Sequence, residues 1–352
     1  MSQHDTTTAD SIHNRRIAVW LFVCCLMVYA MVILGGVTRL TGSGLSMVEW
    51  DPIFGILPPL DEAGWDETFS LYQQSPEYQK INIGMDLEGF KQIYWFEYSH
   101  RVLGRTIGTV FLLPFLFFLV KGWIHRPLIP KLLSMFVLGA LQGLLGWYMV
   151  KSGLIDNPHV SQYRLTAHLG LAILIYAYMF YVALGLWQGG RPSVSIPAGL
   201  RRATMLLTLL MFITILSGGF VAGLKAGYAY NTFPLMDGHW IPEAIFMQDP
   251  LWLNFFENIA TVQFQHRLLA TLVFLGVILL WIAARRVTLP ATVTTGMQLM
   301  LAAAILQVIL GIATLLLHVP VALAATHQAG ALLLVTIALY THQRMSYSAA
   351  DV

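Results

Sequence analysis

The sequence is poor in charge and almost lacks cysteine. Only 11% of its 352 residues are charged, against about 25% in a soluble domain, and the mean hydropathy is +0.66. This composition excludes a soluble globular protein. The two cysteines, Cys24 and Cys25, are adjacent within one apolar run. A helix would point them about 100° apart, so we expect apolar packing residues, with no disulfide and no thiolate metal site.

Long apolar runs are what the sequence has in their place. A helix needs about 20 apolar residues to cross a membrane, and continuous runs of this length favour helices over the short alternating strands of a barrel. We therefore predict an all-α polytopic membrane protein. Its eight transmembrane helices are expected near 17–37, 103–121, 131–150, 166–187, 203–223, 267–284, 297–317 and 322–342.

The distribution of basic residues predicts the orientation. Short connections that carry Arg15, Arg201 and Arg285 fall on one side, which the positive-inside rule assigns to the cytoplasm together with both termini. The acidic leader 1–14 argues against a transit peptide, and the first span is too long for a cleaved signal. A bacterial inner membrane is therefore expected. With a net charge of +2 and no basic domain, the sequence predicts no nucleic-acid partner.

Four histidines, His100, His168, His266 and His327, each precede or open an apolar run on the predicted outer side. Their contexts match in pairs. Glu-Tyr-Ser-His-Arg around His100 resembles Gln-Phe-Gln-His-Arg around His266, and Thr-Ala-His at His168 resembles Ala-Thr-His at His327. An ionisable residue at membrane depth is costly and indicates function.

Other motifs repeat as well. The sequence Leu-Gln-Gly-Leu-Leu-Gly at 141–146 resembles Leu-Gln-Val-Ile-Leu-Gly at 306–311, and Gly-Gly pairs close the first and fifth spans. Four helices per repeat give both halves the same orientation, so we expect a pseudo-twofold axis along the membrane normal. The long outer segments that follow the first helix of each half are expected to be ordered caps. The predicted division is an N-terminal half at 1–187, a cytoplasmic linker at 188–202 and a C-terminal half at 203–352.

Two pairs of imidazoles in two helical bundles favour two heme sites near the outer face, because bundle cores build cofactor sites from facing side chains. Zinc fits less well, since it usually takes three or four protein ligands. Arginine suits the bidentate recognition of carboxylates such as heme propionates. The candidates for this role are Arg39, Arg101, Arg105, Arg164 and Arg267.

Glu97 makes the two halves unequal. It lies three residues before His100, and the corresponding residue in the second half is Gln263. If the helix begins before Glu97, this spacing places the carboxylate and the imidazole on one face. The carboxylate could then stabilise positive charge or accept a proton. The alternative is that Glu97 caps the helix or pairs with Arg101.

At these residues the chain resembles the heme A synthase family. The resemblance runs from Gly-Gly-Val-Thr-Arg-Leu-Thr-Gly-Ser-Gly-Leu-Ser at 35–46 through Glu-x-x-His-Arg at 97–101 and Asn-Thr-Phe-Pro-Leu-Met at 231–236 to the last span. It implies oxidation of the C8 methyl of heme O to the formyl group of heme A, through an alcohol and a gem-diol. It further implies that His100 and His168 hold the substrate heme beside Glu97. His266 and His327 would hold a permanent heme b.

The resemblance also implies heme O synthase as substrate donor, cytochrome oxidase assembly factors as partners and an electron acceptor that the sequence does not identify; a homo-oligomer is left open. The outer loops lack the cysteine pair of some members, so the chain resembles the cysteine-free branch.

Because an iron between two imidazoles has no open position, either one ligand leaves, or electrons are removed without oxygen binding that iron and Glu97 stabilises a carbocation. Two other classes remain: a quinol-linked diheme electron-transfer subunit and a transporter with histidine proton relays.

Overall fold

The computed structural model describes residues 3–49, 57–154, 158–188 and 196–346, and this part of the chain is helical. Eight helices are long and apolar enough to cross a membrane, which confirms the predicted class. The helices are α1 (Gln3–Leu40), α2 (Glu62–Gln73), α3 (Pro76–Lys80), α4 (Leu87–Val120), α5 (Ile129–Gly153), α6 (Gln162–Gln188), α7 (Ala198–Gly223), α8 (Asn254–Glu257), α9 (Ile259–Ala284), α10 (Ala291–Leu316) and α11 (Val321–Ser346). The eight spanning helices are α1, α4, α5, α6, α7, α9, α10 and α11.

Two of these helices begin well before their apolar runs. Helix α4 starts at Leu87, where the Asp86 carboxylate accepts a hydrogen bond from Gly89 N at 2.8 Å. Helix α9 starts after Asn258, which caps in the same way. Caps of this kind satisfy the free amide groups of the first turn. His100 therefore lies well inside α4 rather than at its mouth, and Glu97 is on the same helix.

Helix pairing is the same in the two halves. Helix α1 contacts α4 and α6, and α5 contacts α4 and α6; in the second half α7 contacts α9 and α11, and α10 contacts α9 and α11. The halves meet through α6 with α7, α1 with α11, and α6 with α11. This pairing is what a four-helix repeat requires, and the direction of the pseudo-twofold axis stays a prediction. Residues 189–195 of the predicted linker lie outside the described residues.

Each half has its own apolar core. Leu21, Met135 and Ile173 are buried in the first, and Val277 and Met297 in the second. Burying such side chains contributes about 1.5–3 kcal/mol each in soluble proteins. The thiols of Cys24 and Cys25 are free and lie in the first core, in agreement with the packing role predicted for them.

The outer segment of the first half is ordered where it is described. Helices α2 and α3 pack through a cluster of aromatic residues on the start of α4, with the rings of Tyr72 and Phe90 stacked at 4.9 Å. Trp50 and Pro52, which the sequence also places in this segment, lie outside the described residues. The second outer segment contains α8 and two short 3₁₀ turns. Both segments therefore cover the end of the bundle where the histidines lie.

Candidate functional site: two pairs of histidines

The four histidines form one pair in each half. His100 on α4 and His168 on α6 are close enough to interact electrostatically, and so are His266 on α9 and His327 on α11. All four rings are partly buried within the bundle. Two neighbouring imidazoles in each half form a donor set that could hold a heme iron.

In the first half, each ring lies against a glycine of the preceding spanning helix. A Cβ on Gly35 of α1 would lie 3.1 Å from His100 Nε2, and a Cβ on Gly146 of α5 would lie 2.9 Å from His168 Cε1. Contacts this short would force the ring to move. Glycine at these two places lets each imidazole approach the backbone of the neighbouring helix.

The second half repeats these contacts. A Cβ on Gly218 of α7 would lie 3.2 Å from His266 Cε1, and one on Gly311 of α10 would lie 2.9 Å from His327 Cε1. The sequence analysis found these glycines only as parts of repeated motifs. Their recurrence one spanning helix before each histidine was the feature of the sequence that could have indicated a role at the site. The four glycines form a cradle for the rings, and this fits axial ligands held at fixed places.

The second glycine of each Gly-Gly pair faces the other half. A Cβ on Gly36 would lie 2.2 Å from Gln328 Oε1 of α11, and one on Gly219 would lie 2.8 Å from Thr166 Oγ1 of α6. The amide Nε2 of Gln328 also donates to Val32 O at 2.8 Å. Each glycine pair thus contacts a histidine of its own half and a polar side chain of the opposite half. The spacing of the histidines therefore depends on how the halves meet.

The ring nitrogens of the second half have hydrogen-bond partners. His266 Nδ1 lies 2.7 Å from Ser217 Oγ, and His327 Nδ1 lies 3.1 Å from the side-chain Nε2 of Gln307. In the first half, the buried Nδ1 of His168 has no partner. The side chain of Gln142, which corresponds to Gln307, donates to the backbone carbonyl of His168 at 3.0 Å.

Glu97 is 3% exposed and both of its carboxylate oxygens are occupied. Ser46 Oγ and Met47 N each donate to Oε2 at 2.8 Å, while Arg101 donates to Oε1. Arg101 also donates to the carbonyls of Met47 and Glu49. The ion pair with Arg101, one of the alternatives left open by the sequence, is therefore present. It holds the carboxylate on the histidine-bearing part of α4, beneath the first outer segment.

Gln263 occupies the matching position, also 3% exposed. Arg267 donates to its Oε1 at 3.0 Å, and its own Nε2 donates to Ala226 O at 2.8 Å. Arg267 further donates to the carbonyls of Tyr230 and Thr232. The two arginines thus hold their outer segments in the same way, and the halves differ here by one charge.

The other arginines are placed differently. Arg39 donates from α1 to Gly223 O at the end of α7, at 3.1 Å, and Arg164 lies 4.8 Å from the ring centre of Tyr148. Arg105 lies one turn beyond Arg101 on α4. Arg101 and Arg267 direct their terminal nitrogens at loop carbonyls, so they hold loops. Contact between any of the five arginines and propionates stays a prediction.

A second buried acid lies above the first-half site. Glu77 of α3 is 6% exposed, and Tyr72 donates to its carboxylate at 3.2 Å. Burial, with a smaller contribution from the charge of Glu97, raises the pKa of Glu77 to about 7 against the opposing effects of the Tyr72 hydrogen bond and Arg39. Burial also raises the pKa of the Tyr72 hydroxyl. Nothing in the sequence distinguishes Glu77, since a glutamate in a polar segment gives no sign of burial.

The fold and these sites define a polytopic helical membrane protein with two paired-imidazole centres, one beside a buried carboxylate and the other beside an amide. Residues 18–339 match the family model COX15-CtaA, described as cytochrome oxidase assembly protein. The chain belongs to this family.

Several relatives with a stated activity are similar over nearly the whole chain. One from Nitrosospira multiformis, named heme A synthase, is 58% identical over 335 residues, which cover 94% of both chains. The protein of the same name from Nitrosomonas eutropha is 52% identical over 94% of both chains. Heme A synthase COX15 of Arabidopsis thaliana is 46% identical over 92% of this chain and 73% of its own.

Proposed function

We propose that this protein is a heme A synthase, which oxidises the C8 methyl of heme O to a formyl group for cytochrome oxidase. The observation that carries the proposal is the unequal pair of sites. Both halves offer two cradled imidazoles, but the helix turn before His100 carries a buried carboxylate, Glu97, where the turn before His266 carries a buried amide, Gln263. The names and the identities of the relatives support the same reaction.

The residues fit the groups that this reaction needs. We assign the substrate heme O, and then heme A, to His100 and His168, and a resident heme b to His266 and His327. When bound, heme b would supply one-electron transfer. The four glycines support the assignment, because each leaves its imidazole the space that a methyl group would fill.

Glu97 is assigned the chemical role in the first half. Converting a methyl to a formyl group adds one oxygen atom, supplied here by water, and removes four electrons and four protons, passing through the alcohol and the gem-diol. A carboxylate fixed by three donors is a preorganised negative charge. Such a charge stabilises positive charge that develops at the methyl carbon, and it can receive a proton when water adds. Of the two routes left open by the sequence, this geometry favours the carbocation.

Substrate supply and placement complete the proposal. Heme O carries a long apolar tail, so we infer that it enters from the bilayer after release by heme O synthase. Both termini are assigned to the cytoplasm and the histidine pairs to the outer side of a bacterial inner membrane, because the basic connections favour that orientation.

Extraction of hemes from the purified protein tests the assignment. We expect heme B together with heme O or heme A. His266→Ala should lose heme B selectively, and His100→Ala should lose the farnesylated heme selectively. Heme B in both sites would overturn the proposal and indicate the diheme electron-transfer alternative. Loss of the same heme from both variants would overturn the assignment of the halves.

A further inference from the structure

The two histidine pairs differ in how their rings are held. His266 Nδ1 lies 2.7 Å from Ser217 Oγ, and this hydroxyl donates to Thr214 O at 2.7 Å. A serine hydroxyl has one hydrogen. When Ser217 donates it to Thr214 O, the hydroxyl oxygen accepts the hydrogen of His266 Nδ1; the ring also interacts with the backbone of Thr214. The other ring nitrogen, Nε2, is left with its lone pair free for iron.

The first half has no equivalent hydroxyl. Gly35 and Gly218 face corresponding histidines, so Leu34 occupies the position that corresponds to Ser217. A leucine side chain cannot accept a hydrogen bond. His100 also presents a different edge to its glycine: Nε2 lies closest to Gly35, whereas Cε1 of His266 lies closest to Gly218. The His100 ring is thus turned relative to its counterpart.

A hydrogen bond to the second nitrogen of a ligating imidazole fixes its orientation and raises its basicity, and removing such a partner typically costs 10–100-fold in metal affinity. We propose that Ser217 is a positioning residue that keeps His266 on the resident heme. Leu34 leaves His100 able to turn away, so that substrate and product hemes exchange in the first half. This inference rests on the proposed function for the identity of the two hemes.

The test is the rate at which each heme passes to an excess of a heme-scavenging protein. Ser217→Ala should release heme B roughly 10–100-fold faster, and Ser217→Thr, which keeps the hydroxyl, should release it near the parent rate. Ser217→Ala should also let carbon monoxide bind reduced heme B. Leu34→Ser should slow release of the farnesylated heme.

Equal heme B release from Ser217→Ala and the parent would overturn the role of Ser217. If that variant does not accumulate, Leu34→Ser still tests the proposal. Unchanged release of the farnesylated heme would overturn the role given to Leu34 in heme exchange. The readouts do not depend on oxidation of the methyl group. Faster loss from Ser217→Ala of a heme that is not heme B would leave the anchor in place and overturn the proposed function.

Discussion

Replacing Glu97 by glutamine separates the charge of the first site from its packing. The second half already carries glutamine at this position, where Gln263 accepts from Arg267 at 3.0 Å. We therefore expect the Glu97→Gln amide oxygen to accept from Arg101 in the same way. The variant should retain both hemes while methyl oxidation stops or stalls at the alcohol.

The structure sets the size of both effects. With its oxygen on Arg101, the new amide would direct its NH₂ group at Met47 N, which now donates to the carboxylate at 2.8 Å. Leaving that buried amide unsatisfied costs about 1–3 kcal/mol of stability. Removing a preorganised electrostatic group costs about 100- to 1,000-fold in the rate of the chemical step. The loss of rate should therefore greatly exceed what local loosening explains.

The assay measures heme O, its alcohol and heme A in extracts, with heme content and resistance to proteolysis measured on the same preparations. Ser46→Ala is the matched control, because it removes one donor to Glu97 at 2.8 Å and keeps the charge. Activity of Glu97→Gln within tenfold of the parent would refute a chemical role for the carboxylate. If Ser46→Ala lost as much activity, loop position rather than charge would be the cause.

Three further changes test the packing and the outer segment. Gly146→Ala should weaken heme binding in the first half, because its Cβ would lie 2.9 Å from His168, whereas Gly143→Ala on the same helix meets nothing within 4 Å and should bind heme normally in the same spectra. Gly219→Ala should lower the free energy of unfolding by about 1–3 kcal/mol through overpacking, since its Cβ would also lie 3.3 Å from the Thr166 Cα. A lower melting temperature would report this loss. Glu77→Gln should stabilise the outer segment at pH 8. The folded segment keeps a proton between about pH 4.5 and 7 that the unfolded one releases, so stability is greatest below pH 4.5 and falls as pH rises to about 7. Amide hydrogen exchange of the outer segment measures this gain in stability, up to about 3 kcal/mol. Equal protection of these amides in Glu77→Gln and the parent at pH 8 would contradict the prediction.

The sequence predicted what depends on local pattern. Apolar runs gave the eight spans. Matching contexts related His100 to His266 and His168 to His327, and the repeat then placed His100 with His168 in one half and His266 with His327 in the other. Helix α4 starts at Leu87, before the apolar span expected from about 103, since hydropathy detects the part of a helix within the membrane and not its capped polar extension. Predicting that these glycines contact the histidines would have required knowledge of which helices touch. Contact of Gly35 with His100 joins residues far apart in the chain, and no period in the sequence encodes it.

The comparison of the two halves argues that the charge of Glu97 serves chemistry rather than folding. Arg267 is held by an amide and loop carbonyls, so this packing does not need an ion pair. A buried ion pair is often no more stabilising than neutral groups of similar shape, because both charges must leave water. Arg101 already has two loop carbonyls, and a glutamine at position 97 would complete its hydrogen bonds. At this position, the cost of a buried carboxylate is therefore incurred in the half that we propose to bind the substrate, where Leu34 replaces the hydroxyl of Ser217.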